Sequence, residues 1–208
     1  MKEFQCIAIK MINLSKINKS APYMDFIRYY NNALDSGQKN IEAISISSFN
    51  HNTQEVRSRY VNLKYIKDDE WIFFSNYESP KSNDFISHSQ ISALFYWHTI
   101  DVQIRLKAQI SKTNPDFSDS HFQIRNRKKN ALAISSKQSM IVDSYEAVKS
   151  NFLNVYNSNS KLKRPSYWGG FSFTPYYFEF WTGHENRLNK RKTYTFNDKK
   201  WIKGFLQP

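Results

Sequence analysis

The segment EFWTGHENRLNKR, from Glu179 to Arg191, places two aromatic rings, a glycine, a histidine and three cations within thirteen residues. An exposed tail has no use for the aromatics, and a buried strand cannot carry the charges. Aromatic surface beside guanidinium and ammonium groups suits an anionic, ring-shaped ligand, whose ring can stack and whose anion can pair. Two basic clusters flank apolar segments: Arg125-Asn126-Arg127-Lys128-Lys129 and the run from Arg187 to Lys192 that overlaps the end of this same segment. A third, Lys161-Leu162-Lys163-Arg164, lies in the Asn/Ser-rich stretch NSNSKLKR and reads as a solvated loop. The formal charge is +12. Such a field favours nucleic acid, anionic lipid or phosphorylated small molecules without choosing among them.

Composition narrows the class. The chain has 208 residues, 16% of them aromatic, which fits a folded chain of one domain with short elaborations. Its single cysteine, Cys6, excludes a disulfide within the chain, and no Cys/His spacing resembles a zinc site. The opening MKEFQCIAIKMINL has a short apolar run broken by Lys10 and lacks a signal-peptide pattern, and no run reaches membrane-spanning length. These features predict a cytoplasmic protein with neither metal nor membrane partner.

The elements that must position the basic clusters are readable in outline. Residues 1–20 form an N-terminal arm, with a pairing strand at most. In APYMDFIRYYNNALDSGQ, Phe26, Ile27, Tyr30, Ala33 and Leu34 fall at helical spacing, with Gly37 as a stop. EAISISSF and VRSRYVNLKYI alternate as strands around a turn at Asn50-His51-Asn52. WIFFSN is a short apolar strand, and SPKSNDFIS starts a helix with Ser79 as N-cap and Pro80 at its first position. ISALFYW and VQIRLKAQI form a strand pair joined tightly at His98 to Asp101. DFSDSHFQIRNR and SYEAVKSNFLNVYN read as helices, and the chain closes with strands FSFTPYYFEFW, KTYTF and WIKGFL. The predicted class is mainly β with peripheral helices, antiparallel strands forming a barrel.

Six pieces occur in a fixed order: RYVNLK (Arg59 to Lys64), FFSNYESPK (Phe73 to Lys81), LFYWHTIDVQIR (Leu94 to Arg105), SSKQS (Ser135 to Ser139), WGGF (Trp168 to Phe171) and the opening segment. Together with the terminal Trp201, Leu206 and Pro208, this series resembles the pyridoxamine 5′-phosphate oxidase family over Ile44 to Pro208. The resemblance implies an FMN-binding split β-barrel over 21–208, with a C-terminal dimerisation segment at about 165–208. It implies a homodimer with FMN at the interface. It also implies oxidation of pyridoxine or pyridoxamine 5′-phosphate to pyridoxal 5′-phosphate, with electrons passing through FMN to dioxygen. Carried over residue by residue, Arg59, Lys64, Phe74, Ser75 and Lys81 fall on the flavin, with Arg59, Lys81 and Ser75 at its phosphate. Gln103, Gln138, Ser139, Trp181 and Arg191 complete the cofactor set. Substrate falls to Lys64, His121, Arg125, Lys129, Arg187, Leu188 and Asn189, with Arg187 and Asn189 over the reacting ring. Taken singly, Arg59 reads as a cross-strand ion pair, Trp181 as core and Gln103 as solvated; the ordered set overrides these readings.

The departures from the family pattern are specific. His121 stands at a tyrosine position and Lys129 at a serine position of the substrate-phosphate group; both remain donors, and a charge-assisted bond is about twice as strong as a neutral one. The closing segment reads Arg-Leu-His-Asp-Arg in the family and Arg187-Leu188-Asn189-Lys190-Arg191 here, so Asn189 cannot take up a proton near neutral pH. Pro80 replaces an arginine beside Lys81, a loss of about 1.5–3 kcal/mol, or roughly ten- to a hundredfold in FMN affinity. Val102 likewise replaces an arginine before Gln103. Two alternatives share the resemblance: a related FMN oxidase of another substrate, as in phenazine biosynthesis, and a flavin- or pyridoxal-phosphate-binding protein without turnover. Four cationic positions, Lys64, Arg125, Lys129 and Arg187, favour a phosphorylated substrate over the first. Nucleic-acid binding rests only on charge and aromatics, and no nucleic acid is expected as partner.

Overall fold

A computed structural model describes residues 11–208. Cys6 and the first half of the predicted arm lie outside the described residues. The elements are β1 (Asn13–Ser15), α1 (Ala21–Asp35), β2 (Ala43–Asn50), β3 (Glu55–Asn62), β4 (Tyr65–Lys67), β5 (Glu70–Asn76), α2 (Pro80–Ser87), β6 (Gln90–Trp97), β7 (Val102–Lys112), α3 (Pro115–Ile124), α4 (Arg127–Ser135), α5 (Tyr145–Tyr156), β8 (Trp168–Thr182), β9 (Lys190–Asn197) and β10 (Lys200–Leu206).

The sheet runs β1-β4-β5-β8-β7-β6-β2-β3, with β9 on β8 and β10 on β9. All these pairs are antiparallel except β1 with β4. The ring closes at two residues. The Leu63 amide bonds the Glu42 carbonyl, extending the β2–β3 ladder, and the next amide, Lys64, bonds the Ile72 carbonyl of β5. One stretch of chain therefore leaves β2 and joins β5. The alternating VRSRYVNLKYI is not one strand, as its pattern predicts, because the buried parity shifts there: Leu63 is buried and so is Ile66. Beyond this switch β3 and β5 diverge, and Phe73 to Asn76 pair with β8 but not with β4.

The ring encloses an aromatic core that α1 completes. The helix follows extended Ser20, carries Pro22 in its first turn and ends before Gly37, whose φ of 72° suits glycine. Its face of Tyr23, Phe26, Tyr30 and Ala33 is buried. The Phe26 ring lies 4.6 Å from Trp71 and 5.7 Å from both Phe95 and Trp97. Opposite Lys107 and Ala108, Pro175 and Tyr177 bracket an extra residue, Tyr176, where β8 bulges against β7.

The helical layer corrects the sequence in one place. Asn126 caps a separate helix, α4, accepting from the Lys129 amide. Arg127 then donates to the carbonyls of Tyr156, Ser158 and Ser160 and clasps the end of α5. Arg164 is not solvated either: it donates to Asp119 (2.6 Å) and to the Trp168 carbonyl (2.8 Å). Among the described residues no helix is long and apolar enough to cross a membrane. Replacing Phe26 by Ala leaves a cavity at the centre of the aromatic cluster and is expected to cost about 3–5 kcal/mol. In urea the midpoint should fall at unchanged slope; a midpoint within error of the parent would contradict this packing.

Candidate functional site

The divergence of β3 from β5 opens a cleft of about 1240 Å³. β3 lines it from Arg57 to Asn62, and Lys64 stands at the vertex. Phe74 and Ser75 come from β5, Pro80 and Lys81 from α2, His121, Ile124, Arg125, Asn126 and Lys129 from α3, α4 and their junction, Gln138 and Ser139 from the following loop, and Trp168 from β8. Among the described residues, six cations line this space (Arg57, Arg59, Lys64, Lys81, Arg125 and Lys129) and no carboxylate does.

The acids stand behind the wall. Asp84, fully buried on α2, accepts from Asn50 (2.9 Å) and Arg57 (2.7 Å) on one oxygen and from Ser48 (2.8 Å) on the other, which lies 3.4 Å from Arg59. Burial alone would raise this carboxyl, but bonds from Asn50 and Ser48 and the two guanidinium charges hold it below the usual carboxylate range. Arg59 also donates to Ser48 (2.7 Å) and to the Ile46 carbonyl (3.2 Å), which fixes its guanidinium. At the vertex, Lys64 lies 3.9 Å from buried Glu42. Nothing in the sequence marked Asp84; a lone aspartate in a short helix carries no pattern.

Lys81 is buried, and its ammonium donates to Ser75 (2.9 Å), Ser79 (2.8 Å) and Gln138 (3.1 Å), all neutral acceptors. Burial, then the Arg59 charge, pushes it down to about 8, with Asp84 opposing. Ser79 occupies the predicted N-cap position, yet its hydroxyl does not cap the helix; it serves Lys81 and the Asn76 carbonyl (2.7 Å). Ser139 takes a φ of 69° in the turn that brings Gln138 onto Lys81.

The other wall is aromatic. His121 stacks on Phe74 at 3.7 Å and 9°, and Phe74 stacks on Trp168 at 5.3 Å and 13°. Arg125 lies over Trp168 at 4.3 Å and donates to Asn130 (3.1 Å); burial pushes its guanidinium down to about 10. Tyr65 and His121 Nδ1 are 2.8 Å apart. Burial, then Arg125, Lys64 and Lys129, push His121 from 6.5 down to about 4. The imidazole is therefore neutral near pH 7, and the charge-assisted bond expected of it is corrected to a neutral one.

The remaining predicted residues do not meet this cleft within one chain. Gln103, Trp181 and Arg191 are cross-strand neighbours on β7, β8 and β9. With Leu94, Arg105, Glu179 and Pro208 they line a separate hollow of about 280 Å³. Buried Glu179 holds Arg191 (2.9 and 2.7 Å) and Arg105 and accepts from Tyr177 (3.0 Å). Arg187, Leu188 and Asn189 sit on the exposed turn between β8 and β9, Arg187 at a φ of 58°. The Asn189 side-chain oxygen accepts from the His184 amide at 3.1 Å.

A family model described as the pyridoxine 5′-phosphate oxidase C-terminal dimerisation region matches residues 168–208, from β8 to the last residue. The pyridoxine/pyridoxamine 5′-phosphate oxidase of Cytophaga hutchinsonii is 34% identical over 186 residues, 87% of this chain and 86% of that one. That of Colwellia psychrerythraea is 31% identical over 206 residues, covering 98% and 94%. Among solved structures, PhzG from Burkholderia lata 383, in complex with tetrahydrophenazine-1-carboxylic acid, matches with a TM-score of 0.86 at 23% identity, over 91% of this chain and 93% of that one. A pyridoxamine 5′-phosphate oxidase-related, FMN-binding protein from Nostoc punctiforme matches with a TM-score of 0.73 at 11% identity, over 91% and 100%. The architecture is the FMN-binding split barrel. Within that class, the chain belongs to the pyridoxine/pyridoxamine 5′-phosphate oxidase family.

The His121 environment has a measurable consequence. Between pH 6.5 and 4 the unfolded chain binds a proton that the folded chain refuses, so stability is lost as pH falls through that window. His121→Phe, which keeps a ring on Phe74, should reduce the stability difference between pH 7 and pH 5 by up to about 2 kcal/mol. Equal pH dependence in parent and variant would show that the imidazole titrates normally.

Proposed function

We propose that this protein is an FMN-dependent oxidase of vitamin B6 5′-phosphates, converting pyridoxine or pyridoxamine 5′-phosphate to pyridoxal 5′-phosphate. The observation that carries the proposal is the cleft walled, among the described residues, by six cations and no carboxylate. Five of these cations fall into two groups on separate elements, as two phosphates require: Arg59 and Lys81 on β3 and α2, and Lys64, Arg125 and Lys129 at the vertex and on the α3–α4 side.

The residues present fit FMN. Lys81 is a buried ammonium facing neutral oxygens, and Arg59 is held beside it, so a phosphate there would replace weak acceptors with a charge. Ser75 adds a hydroxyl donor, and the Gln138 amide, released from Lys81, can bond a ring edge. Held there by Arg59, Ser75 and Lys81, FMN would supply the electron acceptor for oxidation of the substrate at C4′, with dioxygen as final acceptor and hydrogen peroxide as by-product. Lys64, Arg125 and Lys129 hold the substrate phosphate. With the Tyr65 hydroxyl donating to Nδ1, neutral His121 keeps an Nε2–H to donate there.

A second copy of the chain completes the site. Trp181, Arg187, Leu188, Asn189 and Arg191 all lie within the segment matched by the dimerisation-region model. In one chain they stand apart from the cleft, together with Gln103. In a homodimer each copy would offer its β8–β9 turn to the other's cleft. Arg187 and Asn189 would then align the substrate ring, and Asn189 acts by hydrogen bonding alone. Alignment is most of what hydride transfer asks of the protein.

Anaerobic mixing of the FMN-loaded protein with pyridoxine 5′-phosphate should bleach the flavin, and air should restore it. Arg187→Ala should keep the flavin and lose turnover roughly a hundredfold. A yellow protein that no B6 phosphate bleaches would overturn the proposed substrate. Equal loss of flavin and turnover in Arg187→Ala would overturn the placement of Arg187.

A further inference from the structure

One cleft cation has no part in the assignments above. Arg57 lies two residues before Arg59 on β3, on the same half-buried face, and both line the cleft. Lys81 and Asp84 are three apart on α2, hence on one face of that helix. These two faces meet at Asp84, whose one oxygen takes Arg57 at 2.7 Å while the other faces Arg59 at 3.4 Å. Asp84 thus fixes two guanidinium groups side by side, next to the Lys81 ammonium. Pro80, on the same stretch of wall, offers neither charge nor amide donor.

Three cations surround one buried carboxylate, leaving two positive charges. Glu55 also touches Arg57, but it is exposed, and solvent screens it. An isolated surface ion pair would need neither a fully buried acid nor the Ser48 and Asn50 bonds that keep it ionised. The group to be matched is a phosphate monoester, which carries close to two negative charges near pH 7.

Resting on the proposed flavin site, we infer that Arg57 is a third cationic ligand of the cofactor phosphate. With Arg59 and Lys81 it makes a pocket whose net charge of two selects a phosphate monoester dianion, and it supplies from β3 the charge that Pro80 cannot supply from α2.

The test compares FMN with riboflavin, which shares the ring and ribityl chain and lacks the phosphate, by equilibrium binding to the full-length protein. The parent should bind FMN far more tightly than riboflavin. Arg57→Gln should weaken FMN roughly ten- to a hundredfold and leave riboflavin within about threefold. Arg57→Lys, which keeps the charge without the planar fork, should fall between them. Equal weakening of both ligands would show that Arg57 merely supports the fold through Asp84, and an unchanged FMN affinity would show that it does not reach the phosphate; either overturns the inference. A parent that binds neither ligand would overturn the flavin site itself, and a parent that binds both equally would remove the phosphate from this pocket.

Discussion

The structure depends on a change of hydrogen-bond partner between adjacent amides, Leu63 to β2 and Lys64 to β5. A sheet that closes on itself removes its edges, but closure by one stretch of chain that changes partner leaves β3 and β5 splayed. Their facing flanks cannot pair with each other, so side chains and the α2–α4 layer occupy the gap. The site is therefore a consequence of how the barrel closes. The aromatic core behind it, centred on Trp71, Phe26 and Phe95, holds the splayed strands in place from the far side.

Within the gap, electrostatics run against stability. Lys81, Arg125 and His121 all have their charged forms disfavoured by burial, and neighbouring cations add to this for Lys81 and His121. Such an arrangement persists because other parts of the structure offset it: Asp84 on one side, the Trp168–Phe74–His121 stack under Arg125 on the other. A site tuned for an anion it must still admit costs the empty fold stability, a common relation between function and stability. Glu179 plays the matching part in the smaller hollow, where it orients Arg191.

Much of this was legible in the chain. Strand alternation around Asn50 to Asn52, the α1 stripe ending at Gly37 and the tight His98–Asp101 link all correspond to observed elements. Of the cleft cations, Arg59, Lys64 and Lys81 lie in the ordered motifs, Arg125 and Lys129 follow from the family resemblance, and the fold lines one cleft with all five. Helix α4 escaped because its apolar residues, Ala131 to Ile134, are contiguous and show no helical period, while its basic start resembles a solvated end. Asp84 escaped because its importance lies in four partners distant in sequence, which only the fold assembles. The partner switch escaped because VRSRYVNLKYI alternates almost without fault; the parity change at Leu63 to Ile66 has meaning only once the core side is known. Ser79 was placed correctly and misassigned in role, because a hydroxyl near a buried ammonium is worth more to that charge than to a helix end.

The central claim is that each chain carries the two halves of a site apart from one another, and that two copies join them. Arg59→Ala damages the cleft half, and Arg187→Ala damages the turn half. Each variant alone should be nearly inactive. Unfolding and refolding them together should restore roughly a quarter of parental turnover, because half of a random mixture is mixed dimer and each mixed dimer has one intact site. Recovery at that level is what the two-copy account predicts. No recovery from variants shown to fold and to form mixed dimers would contradict it, and would place cleft and turn in the same chain's site.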